Sequence, residues 1–362
     1  MATKFEGWTA HGTDSIKGNL KWEEYKVKDF QDDDVELKIL YSGICSSDLH
    51  TMSGNWMDVS KFYPLVVGHE IIGEVIRAGP KAKPKVGDIV GVGPMCDSCL
   101  ECEYCKKGEN NFCTKGTGTY AGKFQRGASA GQDSQGGYAN YWRGPDTFVI
   151  PVPKGLDLAA AAPLLCAGAT VWYPLETYGA GTKAKKVGVV GLGGLGHIAV
   201  QFAAALGAEV TVISHSDKKN ADAEKMGAKH VIVTGNDPAA AVAPHVRSLD
   251  LIVCTSFDEK MPIDAYISLL KPGGTFSCVG LSGKPVVLNP WQFCMNAVHF
   301  TSSPAHNPQG AARMLEFAAK HNVKPWITKY PFEKANEAVV SMDKGESRYR
   351  HVLVNTNNGG EL

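Results

Sequence analysis

The segment that most restricts the fold of this chain is KKVGVVGLGGLGHIAVQFAAALGAEVTVIS, which begins at Lys185. It is composed of an apolar strand, a glycine-rich turn, an alanine-rich helix and a second apolar strand. The spacing G-x-G-x-x-G occurs where a backbone turns tightly beside a pyrophosphate held at a helix N-terminus. In this setting the pattern predicts a dinucleotide site; a merely glycine-rich turn is the alternative. The predicted contacts in the turn are Gly191, Gly193, Gly194, Leu195 and Gly196.

Further apolar runs after this segment extend the same pattern. KHVIV, LDLIVC and GTFSCVG are β-like, and helical stretches lie between them. Strands that alternate with helices are typical of an open parallel sheet. The sequence therefore predicts a doubly wound α/β domain of the Rossmann type over residues 163–303. A chain of 362 residues that is 44% hydrophobic has room for a second domain.

The end of the second strand predicts which nucleotide binds. An NAD site has an acidic residue about 20 positions after the glycines, which holds the ribose 2′-hydroxyl. This chain instead has SHSDKK, in which two hydroxyls and two lysines surround Asp217. These groups suit the 2′-phosphate of NADP, since hydrogen bonds to a charged group contribute about 1.5–3 kcal/mol each. A solvated helix start is the alternative. The predicted contacts are Ser214, His215, Ser216 and Lys219.

A second feature is the loop MCDSCLECEYCKKGENNFC, residues 95–113, which holds five of the ten cysteines. Zinc takes four thiolates in a closed structural site, and cysteines this close on one loop can converge on one ion. Free exposed thiols are reactive and are seldom gathered without a partner. We therefore predict a structural zinc site, with Cys96 as the surplus residue. The predicted ligands are Cys99, Cys102, Cys105 and Cys113.

Three further potential ligands are scattered along the chain. Cys45 lies in GICSSDLH, His69 in VVGHEIIGEVIRAG and Cys166 in APLLCAGAT. Each of them alone is more typical of a packed core residue. Together they form the ligand set of a catalytic zinc that keeps its fourth position open for water or substrate. That the fold brings them together is a hypothesis.

The charge and the N-terminal segment disfavour several classes of protein. Lys and Arg number 37, as do Asp and Glu, so bulk charge predicts neither nucleic acid nor an anionic membrane as a partner. MATKFEGWTAHGTDS lacks the apolar region of a secretory signal, and no eighteen apolar residues run together. We expect a cytoplasmic protein with no nucleic-acid or membrane partner. A zinc-ribbon nucleic-acid module is disfavoured for the same reason.

The motifs together resemble a known family. In this order, the GHE-x2-G segment from Gly68 to Gly73, the cysteine loop and GLGGLG are similar to the zinc-dependent medium-chain alcohol dehydrogenases. GICSSDLH, SQGGYANY, APLLCAGATV and MDKGESRYRHVLV are most similar to the cinnamyl alcohol dehydrogenase branch, including its fungal NADP-dependent members of broad aldehyde range.

This resemblance implies an architecture and an activity. The architecture is a GroES-like, mostly-β catalytic domain of residues 1–162 and 304–362, interrupted by the Rossmann domain, in a homodimer with two zinc ions per chain. The activity is hydride transfer between NADP(H) and aliphatic or aromatic alcohols and aldehydes, mainly as aldehyde reduction. A catalytically silent relative that retains only cofactor binding is the alternative. Such relatives typically lose the catalytic zinc ligands, which are present here.

The resemblance also implies roles for individual residues. The implied ligands of the catalytic zinc are Cys45, His69 and Cys166. Glu70 would lie beside the ion, and Asp48 would orient the zinc-binding histidine. Ser47 would link the reacting oxygen to the cofactor ribose, and His50 would pass the proton to solvent. Thr170 would contact the cofactor near the nicotinamide.

The substrate pocket is where this chain departs from the branch. Plant lignin enzymes commonly have a Trp five residues after the last loop cysteine, and this chain has Gly118 there. A Gly-Ser-Phe-Ile-Gly-Ser type segment is replaced by TSSPAH, residues 301–306. The loss of two aromatic walls predicts a wide pocket for small-molecule aldehydes of varied shape. Trp56 and Tyr120 either line this pocket or serve only in packing.

Overall fold

The computed structural model describes residues 4–281 and 283–362, which form two compact units. The first unit comprises the described residues up to Cys166, together with His306–Lys320 and Pro325–Leu362. The second comprises Ala167–Ala305 and His321–Lys324. The divisions thus follow residues 166 and 305, rather than residues 162 and 303 as the sequence predicts.

The first part of the chain is mostly β-structure. Its elements are β1 (Glu6–Ala10), β2 (Lys21–Glu24), β3 (Asp34–Ile44), α1 (Ser46–Met52), β4 (Leu65–Val66), β5 (Ile71–Ala78), β6 (Ile89–Val92), β7 (Met95–Asp97), α2 (Glu103–Lys106), β8 (Thr117–Gly118), β9 (Tyr141–Pro145), β10 (Val149–Pro151) and α3 (Leu158–Pro163). The chain stays with the first unit beyond residue 162 because α3 packs against β3, β5 and other strands of that unit.

Strands and helices alternate in the middle of the chain. These elements are α4 (Ala169–Thr177), β11 (Lys186–Val190), α5 (Gly196–Ala205), β12 (Glu209–Ser214), α6 (Asn220–Lys225), β13 (His230–Val233), α7 (Pro238–Val242), β14 (Leu249–Cys254), α8 (Ile263–Ser268), β15 (Leu270–Cys278), α9 (Pro290–Asn296) and β16 (His299–Ser302). The last elements are α10 (Pro308–His321), β17 (Ile327–Pro331), α11 (Ala335–Asp343) and β18 (Arg350–Val354).

The main sheet of the first unit has the strand order β10-β6-β5-β3-β18-β17, and β9 also pairs with β3. The long strand β3 is buried along almost all of its length and pairs antiparallel with β5, β9 and β18. Cys45 directly follows β3, and His69 and Glu70 directly precede β5. Because β3 and β5 are antiparallel neighbours, the end of one and the start of the other meet at the same edge of the sheet.

The second unit is built on a six-stranded parallel sheet in the order β13-β12-β11-β14-β15-β16. Its central strand β11 has the sequence KVGVV, and all of its residues after the first are buried. Such an apolar, valine-rich run is typical of a strand covered on both faces. The order reverses direction at β11 and β14, as it does in a dinucleotide-binding fold. The predicted Rossmann-type sheet is confirmed.

The apolar stretch Leu158–Thr177 meets the length and composition criteria for a membrane span. However, 83% of the qualifying window is buried inside the protein. Its residues are mostly alanine, leucine and valine, which pack closely in a protein interior. The stretch therefore behaves as a core helix of the folded chain.

Candidate active site and metal centres

One cluster of potential metal ligands lies at the edge of the main sheet of the first unit. The ligand atoms of Cys45, His69, Glu70 and Cys166 all lie within 4.8 Å of one another. Cys166 belongs to a π-helical turn, Leu164–Gly168, that directly follows α3. All four side chains are buried. The fold thus brings the three predicted ligands of the catalytic zinc together, with Glu70 beside them.

The chemistry of this donor set fits zinc. The His69 Nε2 atom lies 3.1 Å from Cys166 Sγ. A hydrogen bond from Cys166 and the charge of Arg350 lower the pKa of the Cys45 thiol well below its usual value, against the effect of burial. Burial opposes protonation of His69, but the Asp48 carboxylate raises its pKa well above the usual value. Zinc binds the thiolate form of cysteine and the neutral form of histidine. An ion at this cluster would therefore replace the protons of the Cys45 and Cys166 thiols and of the His69 Nε2 atom.

Glu70 gives a second indication of a cation. Its side chain is fully buried and accepts a hydrogen bond from Arg350 through Oε1. The other oxygen, Oε2, has no hydrogen-bond partner within residues 4–281 and 283–362. Burial raises the pKa of Glu70 to about 7, and Arg350 opposes the rise. A Cβ atom at Gly43 would overlap Oε2, so glycine is required there for the carboxylate to fit.

Asp48 holds the imidazole in the orientation that a metal site needs. The Asp48 Oδ1 atom lies 2.8 Å from His69 Nδ1 and accepts from the backbone N–H of Gly68 at 3.2 Å. Its Oδ2 atom accepts from the backbone N–H of Cys45 at 2.9 Å and from the Tyr138 hydroxyl at 3.1 Å. A carboxylate that accepts the Nδ1 proton leaves Nε2 free to bind a metal.

The two predicted proton-relay residues lie on α1. The Ser47 hydroxyl is half-buried and lies 3.5 Å from Cys45 Sγ. His50 follows three residues later, so both lie on one face of the helix. The imidazole of His50 stacks on Trp56 with ring centroids 4.7 Å apart, and its Nδ1 lies 3.4 Å from Asn55 Nδ2. Thus Ser47 lies beside the ligand cluster, and His50 on the same face of α1 is partly exposed to solvent.

Three neighbours of the cluster have contacts that the sequence does not predict. Tyr120, a candidate pocket residue, places its hydroxyl 3.1 Å from His69 Nδ1. Tyr138 bonds Asp48, and Arg350 bonds Glu70. Arg350 begins β18, in which the next residue pairs with the last residue of β3. In the sequence, the segment RYRHVLV indicates only a similarity to the family. The contact between Arg350 and Glu70 cannot be predicted from it, because that contact depends on the register of β18 against β3.

The loop of cysteines closes on itself at a second cluster. Its base is formed by β7 and β8, which pair antiparallel. The ligand atoms of Cys99, Cys102, Cys105 and Cys113 lie within 4.8 Å of one another. The Cys99 Sγ atom lies 3.5 Å from Cys113 Sγ and 3.9 Å from Cys105 Sγ. Four thiolates on one tetrahedral zinc ion would be about 3.8 Å apart, so this arrangement fits the metal.

Electrostatics and spacing separate this cluster from the fifth cysteine of the loop. Backbone N–H groups of Glu101 and Cys102 lower the pKa of the Cys99 thiol to about 6, which favours the thiolate. Cys96 is fully buried, donates to the carbonyl of Gly118 at 3.3 Å and lies outside the cluster. Burial raises the pKa of Cys96 well above its usual value, so it remains a thiol.

The glycine-rich turn of the second unit has the shape that a pyrophosphate requires. Gly191 has a φ of 85°, a left-handed conformation that favours glycine. A Cβ atom at Gly193 would meet nothing within 4 Å, whereas one at Gly196 would overlap the carbonyl oxygen of Gly191. The middle glycine therefore leaves open space for a phosphate, and the last one allows close packing of α5. Gly194 and Leu195 lie between them, half-buried, before the start of α5.

The predicted contacts with the 2′-phosphate follow β12. Ser214 ends this strand, and its hydroxyl donates to the carbonyl of Ser216 at 3.1 Å. The Lys219 Nζ atom donates to the carbonyl of Leu192 at 2.9 Å, so its charge lies over the glycine-rich turn. His215 is exposed beside them.

Thr170 and Thr255 are two further polar residues of the second unit. Thr170, predicted to contact the cofactor near the nicotinamide, is half-buried on α4. Thr255, which the sequence analysis does not single out, donates to the carbonyl of Val190 at 2.8 Å. This bond fixes the strand end from which the glycine-rich turn begins.

Comparisons with known proteins agree with the zinc clusters of the first unit and with the dinucleotide-binding sheet of the second. Residues 31–154 match the family described as alcohol dehydrogenase GroES-like domain, and residues 194–320 match the zinc-binding dehydrogenase family. The chain is 38% identical over 356 residues to NADP-dependent alcohol dehydrogenase 6 of Saccharomyces cerevisiae, covering 97% of this chain and 96% of the yeast protein.

Two solved structures are similar over nearly the whole chain. A cinnamyl alcohol dehydrogenase from Sorghum bicolor superposes with a TM-score of 0.89 at 34% identity, covering 99% of each chain. A cinnamyl alcohol dehydrogenase from Helicobacter pylori, complexed with NADP(H), gives a TM-score of 0.85 at 33% identity and covers 98% of this chain and 99% of that one. With two thiolate-rich clusters that fit zinc and a dinucleotide-binding sheet, this chain belongs to the zinc-dependent medium-chain alcohol dehydrogenases, in the cinnamyl alcohol dehydrogenase branch.

Proposed function

We propose that the protein transfers hydride between NADP(H) and primary alcohols or aldehydes, and that it works mainly as an aldehyde reductase. The observation that carries this proposal is the buried set of Cys45, His69 and Cys166 with Asp48 behind the imidazole. A complete catalytic ligand set disfavours a silent, cofactor-binding relative. The yeast relative is named an NADP-dependent alcohol dehydrogenase, which supports the same activity here.

Each residue of the metal cluster has a defined task in this proposal. Cys45, His69 and Cys166 hold the catalytic zinc, and Asp48 keeps Nε2 of the histidine directed at it. When bound, zinc supplies a Lewis acid that polarises a carbonyl and lowers the pKa of an alcohol. The Glu70 carboxylate lies beside these ligands, and Arg350 balances its charge.

The proton leaves or enters along α1. The Ser47 hydroxyl, beside Cys45 Sγ, exchanges a proton with the reacting oxygen of the substrate. His50 exchanges that proton with solvent, and the stacked ring of Trp56 restrains the imidazole. A hydroxyl is suited to this role because it can donate and accept in the same position.

The cofactor binds along the carboxyl edge of the parallel sheet. Gly193 and the N-terminus of α5 receive the pyrophosphate, with Gly191, Gly194, Leu195 and Gly196 shaping the turn. The 2′-phosphate contacts are Ser214, His215, Ser216 and Lys219. Thr170 contacts the cofactor near the nicotinamide. No carboxylate stands at the end of β12 to favour NAD.

Replacing Lys219 with alanine tests the phosphate contact. Only the cofactor that carries the 2′-phosphate loses a charge-assisted bond, so KM for NADPH should rise about tenfold while KM for NADH barely changes. The effect should shrink as salt is added. Lys218→Ala, an exposed neighbour, is the matched control. An equal loss for both cofactors would show that Lys219 supports the glycine-rich turn rather than the phosphate.

Replacing Cys105 with alanine tests the structural site. Zinc binding at a closed thiolate site is part of the folding free energy, so we expect one zinc ion fewer per chain and a melting temperature lower by about 10 °C or more. Zinc analysis and thermal unfolding measure these effects. Cys294→Ser, at an exposed cysteine outside the cluster, should change neither. A Cys105 variant that keeps two zinc ions would remove this residue from the ligand set.

The substrate range is proposed from the pocket residues that differ from the plant enzymes. Gly118 lies where those enzymes commonly have a tryptophan, and it leaves that wall without a side chain. We infer that aliphatic, furan and cinnamyl aldehydes are all accepted. The test of the proposed function is NADPH oxidation against a panel of these aldehydes. Activity confined to one cinnamyl aldehyde would overturn the broad range, and no activity with any would overturn the function.

We infer that the protein is a cytoplasmic homodimer assembled through the second unit. Strand β16 pairs only with β15 among the described strands and leaves one edge unpaired. Exposed apolar side chains occur on β16 and on the segment that precedes it: Val287, Trp291, Met295 and Phe300. Edges and patches of this kind are typical of an interface.

Replacing Trp291 with arginine should therefore shift the protein toward a monomer, because a charge in this apolar patch opposes its burial against a second copy. Sedimentation velocity of the variant and of the unmodified protein measures the change. Val86→Arg, at an exposed apolar residue of the first unit, is the control. A monomeric unmodified protein would contradict the proposed dimer.

A further inference from the structure

Two buried cysteines outside both metal clusters lie at the carboxyl edge of the parallel sheet. Cys254 ends β14, Cys278 ends β15, and the two residues are directly opposite each other in the strand register. Side chains at matched positions of parallel strands point to the same face, with Cα atoms about 4.8 Å apart. This separation lies within the range of roughly 4.4–6.8 Å that a disulfide requires.

Each thiol is hydrogen-bonded to the loop that follows it. Cys254 donates to the carbonyl of Ser256 at 3.0 Å, and Cys278 donates to the carbonyl of Gly280 at 3.3 Å. Cys254 Sγ also lies 3.5 Å from Met261 Sδ. A hydrogen bond from Cys254 lowers the pKa of the Cys278 thiol, so Cys278 is the better nucleophile of the pair.

These loops form one wall of the glycine-rich turn. The Thr255 hydroxyl donates to the carbonyls of Val190 at 2.8 Å and of Gly191 at 3.3 Å. A Cβ atom at Gly191 would lie 3.2 Å from Ser256 Cβ, so there is little space between the turn and the loop. The backbone N–H groups of residues 279 and 280 both donate to the carbonyl of Cys254. A shift of either loop would therefore move the turn that receives the pyrophosphate.

We propose that Cys254 and Cys278 form a reversible dithiol–disulfide site whose oxidation weakens nucleotide binding. The oxidant is a low-molecular-weight disulfide. The Cys278 thiolate attacks one of its sulfurs and releases one thiol, and Cys254 then displaces the second. Two protein thiols become one disulfide, and the small disulfide becomes two small thiols. Electrons and protons balance with no other reactant.

Oxidation changes the loops because it removes both S–H donors. The carbonyls of Ser256 and Gly280 then lose their hydrogen bonds inside a buried region, where an unpaired polar group is costly. The loops shift to regain partners, and the glycine-rich turn shifts with them. Oxidation lowers the affinity for the nucleotide by some factor. By thermodynamic linkage, a bound nucleotide shifts the dithiol–disulfide equilibrium toward the dithiol by the same factor. Formation of the disulfide does not depend on the proposed function. Only the effect of the disulfide on NADP(H) binding rests on the proposed function.

The test uses the zinc-loaded protein, in which the cysteines of the two clusters are held by metal and Cys294 is the exposed thiol outside them. It is equilibrated with buffers of reduced and oxidised glutathione, with and without saturating NADP⁺. Mass spectrometry of the digest then measures the peptide that links residues 254 and 278. We expect this peptide to form, NADP⁺ binding to weaken at least tenfold, and NADP⁺ to shift the midpoint by about 30 mV for each tenfold loss.

Variants separate this site from the other cysteines. Cys278→Ser should prevent the linked peptide and the redox dependence of binding, whereas Cys294→Ser should keep both. Should Cys278→Ser fail to fold, the linked peptide of the unmodified protein still decides the matter. Absence of that peptide in the most oxidising buffer would overturn the proposal, and a linked protein with unchanged NADP⁺ affinity would overturn the coupling. Failure of the reduced protein to bind NADP⁺ would instead contradict the proposed function.

Discussion

Replacing Cys45 with alanine is expected to lower kcat for aldehyde reduction by about a thousandfold or more while NADPH still binds. Cys45 is one of the three proposed zinc ligands, all of them buried, and its loss would leave only His69 and Cys166 of that set. A metal that acts as a Lewis acid contributes several kcal/mol to the transition state, and each 1.36 kcal/mol corresponds to about tenfold in rate. The cofactor contacts lie on other residues, so its affinity should be nearly unchanged.

Zinc content and a matched variant make this result specific. The Cys45 variant should bind one zinc ion per chain rather than two. Cys96→Ala, at a buried cysteine outside both clusters, should keep two zinc ions and full activity. Retained activity in the Cys45 variant would remove this residue from the ligand set.

Replacing Ser214 with aspartate is expected to erase a preference for NADPH of a hundredfold or more in kcat/KM. A carboxylate at the end of β12 would accept a hydrogen bond from a free ribose 2′-hydroxyl and would repel a 2′-phosphate. The lost Ser214 bond to a charged group, worth about 1.5–3 kcal/mol before solvent screening, and the repulsion between carboxylate and phosphate together account for the size of the change.

Ser214→Ala is the control for this change, because it removes the hydroxyl without adding charge. It should reduce the preference only partly, since Ser216 and Lys219 remain. Steady-state kinetics with both nucleotides at one aldehyde concentration compares the three proteins. Equal use of NADH and NADPH by the unmodified protein would contradict the assignment of these residues to the phosphate.

The nucleotide half of the molecule could be predicted because its signals are local. The strand, the turn and the helix that carry the glycines are consecutive. Gly191 has a positive φ, and a Cβ atom at Gly196 would overlap the carbonyl oxygen of Gly191 in the same turn. The four cysteines of the loop are likewise near one another along the chain. A short loop can bring such ligands together without a core beneath it.

The catalytic cluster depends on contacts between distant residues. His69 and Cys166 are 97 positions apart, and their ligand atoms meet only because β5 and α3 pack in the same unit. Sequence similarity pointed to these residues, and their spacing alone did not. Arg350 is 280 positions from Glu70, so its role depends on the register of β18 against β3. An arginine at the start of an apolar strand has no local signal of that kind.

The domain boundary shows a different limit of the sequence. The alanine-rich run contains Pro163, and the sequence predicts the division there. In the structure the first unit extends through Cys166, because α3 packs against β3 and β5. Tertiary packing decides where one unit ends, and no residue pattern at that point reports it.

The most direct test of the account is whether this protein moves hydride from NADPH to an aldehyde. The zinc-loaded protein is incubated with an aldehyde and NADPH carrying deuterium at both positions of nicotinamide C4, and the product is analysed by mass spectrometry. We predict an alcohol with one deuterium on its carbinol carbon, formed by the unmodified protein and not by Cys45→Ala. Bound NADPH with no deuterium transferred to any aldehyde of the panel would contradict the account.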